Sequence, residues 1–249
     1  ELLGDKTYST KDDIADFTNT DRTSETWKKM NHQFLNYHKS LSVYTILNAS
    51  PINNYVGFQS GISNLTNVKV LDVGAGTGHA YCSFFHQPET IEYYLLDPNL
   101  RLLHDQFYRI YPKLSYLKMA HILANAEYLP IKDNSFDVVL NLSAVDHFDD
   151  YKRFIKESYR VLKPGGKFLI TSHLDIDEDK EDATSFKDKL FSDTFYERFA
   201  RYKYYKKHAV GDDDHTLHLE DEKPIENAMK ESGFKIVKKE LFKRHFFFV

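Results

Sequence analysis

Cysteine is almost absent from this 249-residue chain: Cys82 stands alone. A single thiol cannot close an intrachain disulfide and leaves no cysteine-based zinc site. Such a chain suits a reducing compartment. No apolar run approaches the roughly 20 residues of a membrane span. The first residues, Glu1 to Lys6, lack the basic-then-apolar order of a secretion signal. Positive charge is not in excess either: 33 Lys and Arg face 37 Asp and Glu, for a net charge of −4. A nucleic-acid binder usually carries a basic face, so that class is disfavoured. Internal repeats and low-complexity linkers are missing too. These absences point to a soluble, cytoplasmic protein with no nucleic-acid and no membrane partner; they say nothing of oligomeric state.

What is present is an ordinary hydrophobic content, 41%, with an aromatic share of 15% from 19 Phe, 17 Tyr and one Trp. The length allows one large domain with a sizeable core. Residues 1–66 are polar and read as a helical cap. Ser24 is a candidate helix cap, and Phe34, Leu35, Tyr37, Leu41, Tyr44 and Leu47 recur at helical spacing.

At Val68 the pattern changes. Val68–Val73, Glu92–Leu96, His121–Ala124, Phe136–Leu142 and Lys167–Ser172 read as five strands. Helices are expected between them, including Leu100–Tyr111 and Tyr151–Leu162. The fourth strand is nearly all apolar, as a strand buried on both faces should be. Alternation of this kind implies right-handed crossovers and a mostly parallel sheet, with ligands beyond the carboxyl ends of the strands. The core spans 67–174. Residues 175–222 follow as an insertion or lid: six acids in the eight residues from Asp175 to Asp182, then an aromatic and basic stretch with helical character. Residues 223–249 read as a helix and a closing antiparallel hairpin.

The first strand runs into Gly74-Ala75-Gly76-Thr77-Gly78. Glycine there lets the backbone turn sharply and lets a ligand approach without a Cβ in the way. The following helix offers free N–H groups. A dinucleotide fingerprint would place its third glycine where His79 stands. Asp72, two residues before the first glycine, would repel a pyrophosphate and suits a cationic amine. Asp97, at the end of the second strand, can accept from ribose hydroxyls. A nucleoside that carries an amino acid and no phosphate satisfies both acids.

Val70-Leu71-Asp72-Val73-Gly74-Ala75-Gly76-Thr77-Gly78 resembles the first motif of the class I S-adenosylmethionine-dependent methyltransferases. Leu95-Leu96-Asp97 resembles their second-strand acid. Asn125 to Pro130, followed by Asn134 to Val139, resembles the adenine loop and fourth strand, and Arg160 to Lys167 the turn after the next helix. The resemblance runs from Val68 to Ser172 and more weakly through Gly233-Phe234. It implies a Rossmann-like, doubly wound α/β fold: a mostly parallel seven-stranded sheet with a C-terminal antiparallel hairpin, plus the helical cap and the helical insertion. It implies S-adenosylmethionine as cofactor and S-adenosylhomocysteine as product. Gly74, Ala75 and Gly76 would pass under the methionine part, with Gly78 completing the turn and Asp72 near the amine. Asp97 and Pro98 would border the ribose. Asn125 and the Ala126 backbone would meet the adenine, and Asn141 and Leu142 the methionine moiety. Asp137 reads as a structural turn contact.

Methyl transfer needs alignment of donor and acceptor and, for a hydroxyl, removal of a proton. His147, after the fourth strand, is the candidate general base; its other reading is a residue that shapes the pocket or caps the next helix. Asp146, His173, Asp175, His215 and His218 are candidate acceptor contacts. Asp175 fits equally well into the solvated acidic run. A metal set among these residues is not expected, because their spacing is a poor metal signal. The expected function is O-methylation of a small molecule, a saccharide or other hydroxylated metabolite. N-methylation of an amine is the main variant, and a catalytically silent cofactor-binding regulator is the alternative from another class. A nucleotide-dependent dehydrogenase is disfavoured by His79 and Asp72.

Overall fold

The computed structural model describes residues 9–11, 14–17, 61–76, 85–98, 119–175, 217–242 and 245–249. They build one mixed sheet. Its strands are β1 (Ser9–Lys11), β2 (Ile14–Asp16), β3 (Lys69–Val73), β4 (Glu92–Leu96), β5 (Met119–Leu123), β6 (Phe136–Leu142), β7 (Leu162–His173), β8 (Lys239–Phe242) and β9 (His245–Phe248). They lie in the order β1-β2-β5-β4-β3-β6-β7-β9-β8. The pairs from β2 to β7 are parallel, and those of β1 with β2, β7 with β9 and β8 with β9 are antiparallel.

The chain leaves β3 toward β4 and β5, then returns to the other side of β3 as β6. That reversal is the switch point where an open parallel sheet binds ligands. Strand residues alternate between two buried clusters. Leu71, Val73, Val139, Phe168 and Ile170 face one. Val70, Leu95, Val138, Leu140 and Leu169 face the other. Burial on both faces explains why β6 reads as a continuous apolar run.

Two helices, α1 (Tyr151–Val161) and α2 (Lys223–Glu231), pack on the first cluster. Asp150 caps α1 by accepting from the Arg153 amide at 2.9 Å. Helical periodicity places Phe154, Ile155, Ser158 and Val161 inside. From α2, Ile225, Ala228 and Met229 are buried at the same kind of spacing.

Three features differ from the sequence-based expectation. The sheet has nine strands, not seven, because β1 and β2 extend it beyond β5. Two three-residue strands are too short to show a period-two pattern, and the open edge of β5 supplies the missing partner: the Phe17 amide donates to Leu123 O at 2.8 Å. Part of the expected helical cap is thus β structure; the helix expected from Ser24, like the aromatic stretch after Asp182, lies outside the described residues. The fifth expected strand starts at Leu162 rather than Lys167. Phe136 pairs with Leu162 and Val138 with Lys167, so residues 163–166 bulge out opposite Asp137. Asp137 holds that bulge, accepting from Lys163 Nζ at 2.7 Å and from the Lys69 amide at 2.8 Å. Burial pushes its carboxyl up, but the Lys163 and Lys69 contacts outweigh that and hold it below the usual range.

Arg160 fastens the segment between β5 and β6 to α1. Its guanidinium donates to Ile131 O at 2.6 Å, Leu129 O at 3.1 Å and Asp133 Oδ1 at 2.7 Å, and it is braced by Glu157. Glu157 in turn accepts from the Leu129 amide at 2.9 Å. Arg160→Ala should cost about 2 kcal/mol, from charged hydrogen bonds lost to carbonyls that solvent only partly recovers. A lower denaturation midpoint, with faster amide exchange at 126–133, is the expected result. Arg160→Lys should recover less than half of it, because one ammonium cannot span both carbonyls.

Candidate functional site

A cleft opens beyond the carboxyl ends of β3, β4 and β6, with about 610 Å³ of space, its mouth included. Gly74, Leu96, Asp97, Pro98, Asn125 and Ala126 line one part of it, and Ser143, Ala144, His147 and Phe148 the other.

The glycine turn closes the end of β3. Gly74 and Gly76 both have positive φ, 71° and 53°. The amides of Gly74 and Ala75 donate to Leu96 O at 2.8 and 3.2 Å, which folds the turn over the end of β4. A Cβ on Gly74 would stand 2.6 Å from the Ala144 Cβ; one on Gly76 would meet no described residue within 4 Å. Gly74 is therefore glycine for packing as well as for φ, whereas at Gly76 the positive φ is what favours glycine.

Both acids flanking the turn are buried. Asp97 Oδ2 accepts from the Gly76 amide at 3.1 Å. Asp72 Oδ2 accepts from the Tyr93 hydroxyl at 2.7 Å. Burial pushes the Asp72 carboxyl up to about 7; the Tyr93 hydrogen bond opposes this and the charge of Asp97 adds to it. Asn141 is fully buried beneath the turn, and its Nδ2 donates to Val73 O at 2.8 Å. Its Oδ1 has no hydrogen-bond partner among the described residues.

The other sequence-predicted residues fall as follows. Asp97, Pro98, Asn125, Ala126 and His147 line the cleft. Leu142 packs against the second cluster instead, and Ser143 and Ala144 form the lining just beyond it. Gly78 and His215 lie outside the described residues. Ser143, Ala144, Phe148, Leu96 and the Tyr93 partner of Asp72 were not expected. Ser143 has a φ of 51°, which no local pattern announces, and its amide donates to Thr171 O at 2.9 Å.

A short 3-10 turn, Val145–His147, follows β6. His147 turns to the cleft, and Asp146 turns away from it, into the interior. There Asp146 Oδ2 lies 2.9 Å from His173 Nδ1, His173 Nε2 lies 3.6 Å from Asp175 Oδ1, and Asp175 Oδ2 lies 2.9 Å from His218 Nδ1. Four of the residues singled out as acceptor contacts thus form one chain of alternating acids and imidazoles. Among the described residues no group of three has the arrangement of a metal site.

This geometry agrees with the comparisons. Residues 71–170 match the model of a methyltransferase domain. The ubiquinone/menaquinone biosynthesis C-methyltransferase of Rickettsia typhi is 35% identical over 112 residues, 43% of this chain and 45% of its own length. The chain therefore spans about half the length of the curated relatives it matches. A Pyrococcus horikoshii protein has a TM-score of 0.57 at 18% identity, over 86% of this chain and 96% of its own. A SAM-dependent methyltransferase of Aquifex aeolicus gives 0.56 at 15%, over the same shares. These two show the likeness of fold.

Residues 71–170 are a methyltransferase domain. Its described residues fit S-adenosylmethionine: a left-handed glycine at Gly76, two buried acids, and no Lys or Arg among the described cleft-lining residues to receive a phosphate. In this methyltransferase core Asp72 and Asp97 would take the amine and the ribose hydroxyls, and Asn125 and Ala126 would border the adenine.

Burial of Asp72 sets a pH dependence. Its folded-state pKa, about 7, stands above its ordinary value of 3.8. Below the ordinary value both folded and unfolded chains hold the proton, so the group costs nothing. Between the two values only the unfolded chain ionises, and folding weakens as pH rises, by at most about 1.4 kcal/mol per pH unit. Above the folded value the cost is constant. Asp72→Asn should therefore remove a downward slope between about pH 4 and 7 in the ligand-free protein. Denaturant titrations of both proteins at four pH values measure the difference; parallel curves would mean that Asp72 keeps an ordinary pKa.

Proposed function

We propose that this protein transfers the methyl group of S-adenosylmethionine to a small hydroxylated acceptor, with His147 as general base. The observation that carries the reading is the position of His147: an imidazole in the lining of the cleft that also contains Asp97 and Asn125. A histidine base matches proton removal near neutral pH. The cofactor supplies a methyl carbon activated by its sulfonium. The chain's own residues align the two partners and take the acceptor's proton, while Phe148, Ala144 and Leu96 give the cleft apolar walls that limit water.

A saccharide or a phenol-like ring suits this cleft. A second reading is favoured by the relatives, which are named C-methyltransferases. Removing a proton from a ring hydroxyl also makes the neighbouring ring carbon nucleophilic, so the same base serves transfer to oxygen or to carbon. A cytoplasmic setting belongs to this proposal; among the described residues no helix is long and apolar enough to cross a membrane.

Calorimetry with S-adenosylhomocysteine, and with NAD as control, tests the cofactor: the first should bind and the second should not. Asp97→Ala should weaken S-adenosylhomocysteine binding by about 1–3 kcal/mol, since it removes a ribose acceptor and frees the Gly76 amide. Isotope-labelled S-adenosylmethionine offered with catechol, a naphthoquinol, methyl glycosides and simple amines tests the acceptor, and mass spectrometry of the product places the label on oxygen, carbon or nitrogen. His147→Ala should lower turnover by about 10²–10⁴-fold while S-adenosylhomocysteine affinity stays within a few-fold. Turnover retained within threefold would assign the base elsewhere, and binding without turnover on any acceptor would favour a regulator.

A further inference from the structure

The geometry points to His173 as a positioning residue for the acceptor side: held between Asp146 and Asp175, it fixes the turn that carries His147 into the cleft. The inference rests on the reading of that cleft as a methyl-transfer site.

The four consecutive residues 145–148 divide between the first cluster, His173 and the cleft. Val145 is buried in the first cluster. Asp146 reaches His173. His147 lines the cleft. Phe148 is buried, with its ring 4.8 Å from Phe154. The turn is too short to hold itself. Its internal support is two bonds, from the His147 amide to Ala144 O at 3.1 Å and from the Phe148 amide to Val145 O at 3.2 Å. Its register therefore depends on what grips it from outside.

Asp146 is gripped at both ends. Its carbonyl accepts from the Leu217 amide at 3.1 Å, and its carboxylate meets His173 Nδ1 at 2.9 Å. The far end of the chain is tied down in the same way: the Asp175 amide donates to Leu219 O at 2.7 Å, and His218 Nδ1 donates to Asp175. Side-chain exposure rises along the series, from 3% at Asp146 through 31% at His173 and 37% at Asp175 to 55% at His218. The buried end is the one that touches the turn. A carboxylate at that depth is held by its donors, and loss of the His173 N–H weakens the hold on the carboxylate and on the turn that carries it. Since His147 is the next residue, any rotation of the turn about Asp146 swings the imidazole.

The test needs no acceptor. Histidine-selective 15N labelling gives ring-nitrogen spectra of the S-adenosylhomocysteine-bound protein, with the His147 signals assigned from His147→Gln. His173→Ala should change the His147 tautomer ratio at least threefold. His173→Asn, whose amide nitrogen stands near the place of Nδ1 and still donates to Asp146, should keep the ratio within 1.5-fold of wild type. His218→Ala, at the exposed end, should have the smaller effect of the two alanine variants. S-adenosylhomocysteine affinity should stay within twofold throughout. An unchanged His147 ratio in His173→Ala overturns the proposal, as does an equal change in His173→Asn. If His173→Ala does not fold, His173→Asn and Asp146→Asn decide: Asn at 146 keeps an acceptor for Nδ1–H and should resemble wild type, and a threefold change in both overturns the proposal. Failure of the wild-type protein to bind S-adenosylhomocysteine would instead count against the methyltransferase reading, and the His147 comparison would then be read in the ligand-free protein.

Discussion

The close approach of Gly74 to Ala144 sets the shape of the site. A side chain on Gly74 would overlap Ala144 at 2.6 Å, so the end of β3 and the turn after β6 meet backbone to side chain with nothing between them. Asn141 locks the same junction from beneath, by holding Val73 O at 2.8 Å. With these two contacts the glycine turn lies across the mouth of the sheet, and Ala144 and His147 line the same cleft as Gly74. The floor of the cleft is thus built where a parallel sheet reverses its winding.

Electrostatics then select what the cleft can hold. Two buried carboxylates flank the glycine turn, and burial, with the charge of Asp97 adding to it, raises the Asp72 carboxyl to about 7, so that it is only partly ionised at pH 7. A phosphate at this place would add a third negative group. A cationic amine would remove the conflict, because it would stabilise the ionised form of Asp72 and leave Asp97 available for hydroxyls. The departure of this chain from the dinucleotide fingerprint at Asp72 and His79 therefore has a counterpart in the charge that the folded site can tolerate.

Much of this core was legible in the sequence, and the reasons are local. β4 and β6 have the bounds expected of them, since Glu92-Tyr93-Tyr94-Leu95-Leu96 and Phe136 to Leu142 are apolar runs with turn residues on both sides. β1 and β2 were missed because three residues carry no period. The early start of β7 was missed because Lys163-Pro164-Gly165-Gly166 reads as a turn, and only the Lys163 to Asp137 contact shows it as a bulge inside a strand. At the site, the glycines and the acids announce themselves by spacing. Ser143 and Ala144 do not: a positive φ at a serine and a methyl pressed on a glycine are consequences of tertiary packing. Asp146, His173, Asp175 and His218 could each be singled out, but their joining in one chain depends on two strand ends lying side by side.

The cofactor half and the acceptor half of the site also have different kinships. The segment that matches the methyltransferase domain family ends at residue 170. It includes the glycine turn, Asp97, Asn125 and His147, to which the proposed function assigns the cofactor contacts and the base. His173, Asp175 and His218 lie beyond it, on the end of β7 and on the segment that leads into α2. A fold that keeps one cofactor and varies its acceptors is expected to divide in this way, with function altered at strand ends and loops while the sheet stays fixed. Asp146 is the hinge between the halves, because it belongs to the matched segment by sequence and to the acceptor side by contact. On the proposed function, the matched segment would deliver the methyl group and the residues that grip Asp146 would bear on where it goes.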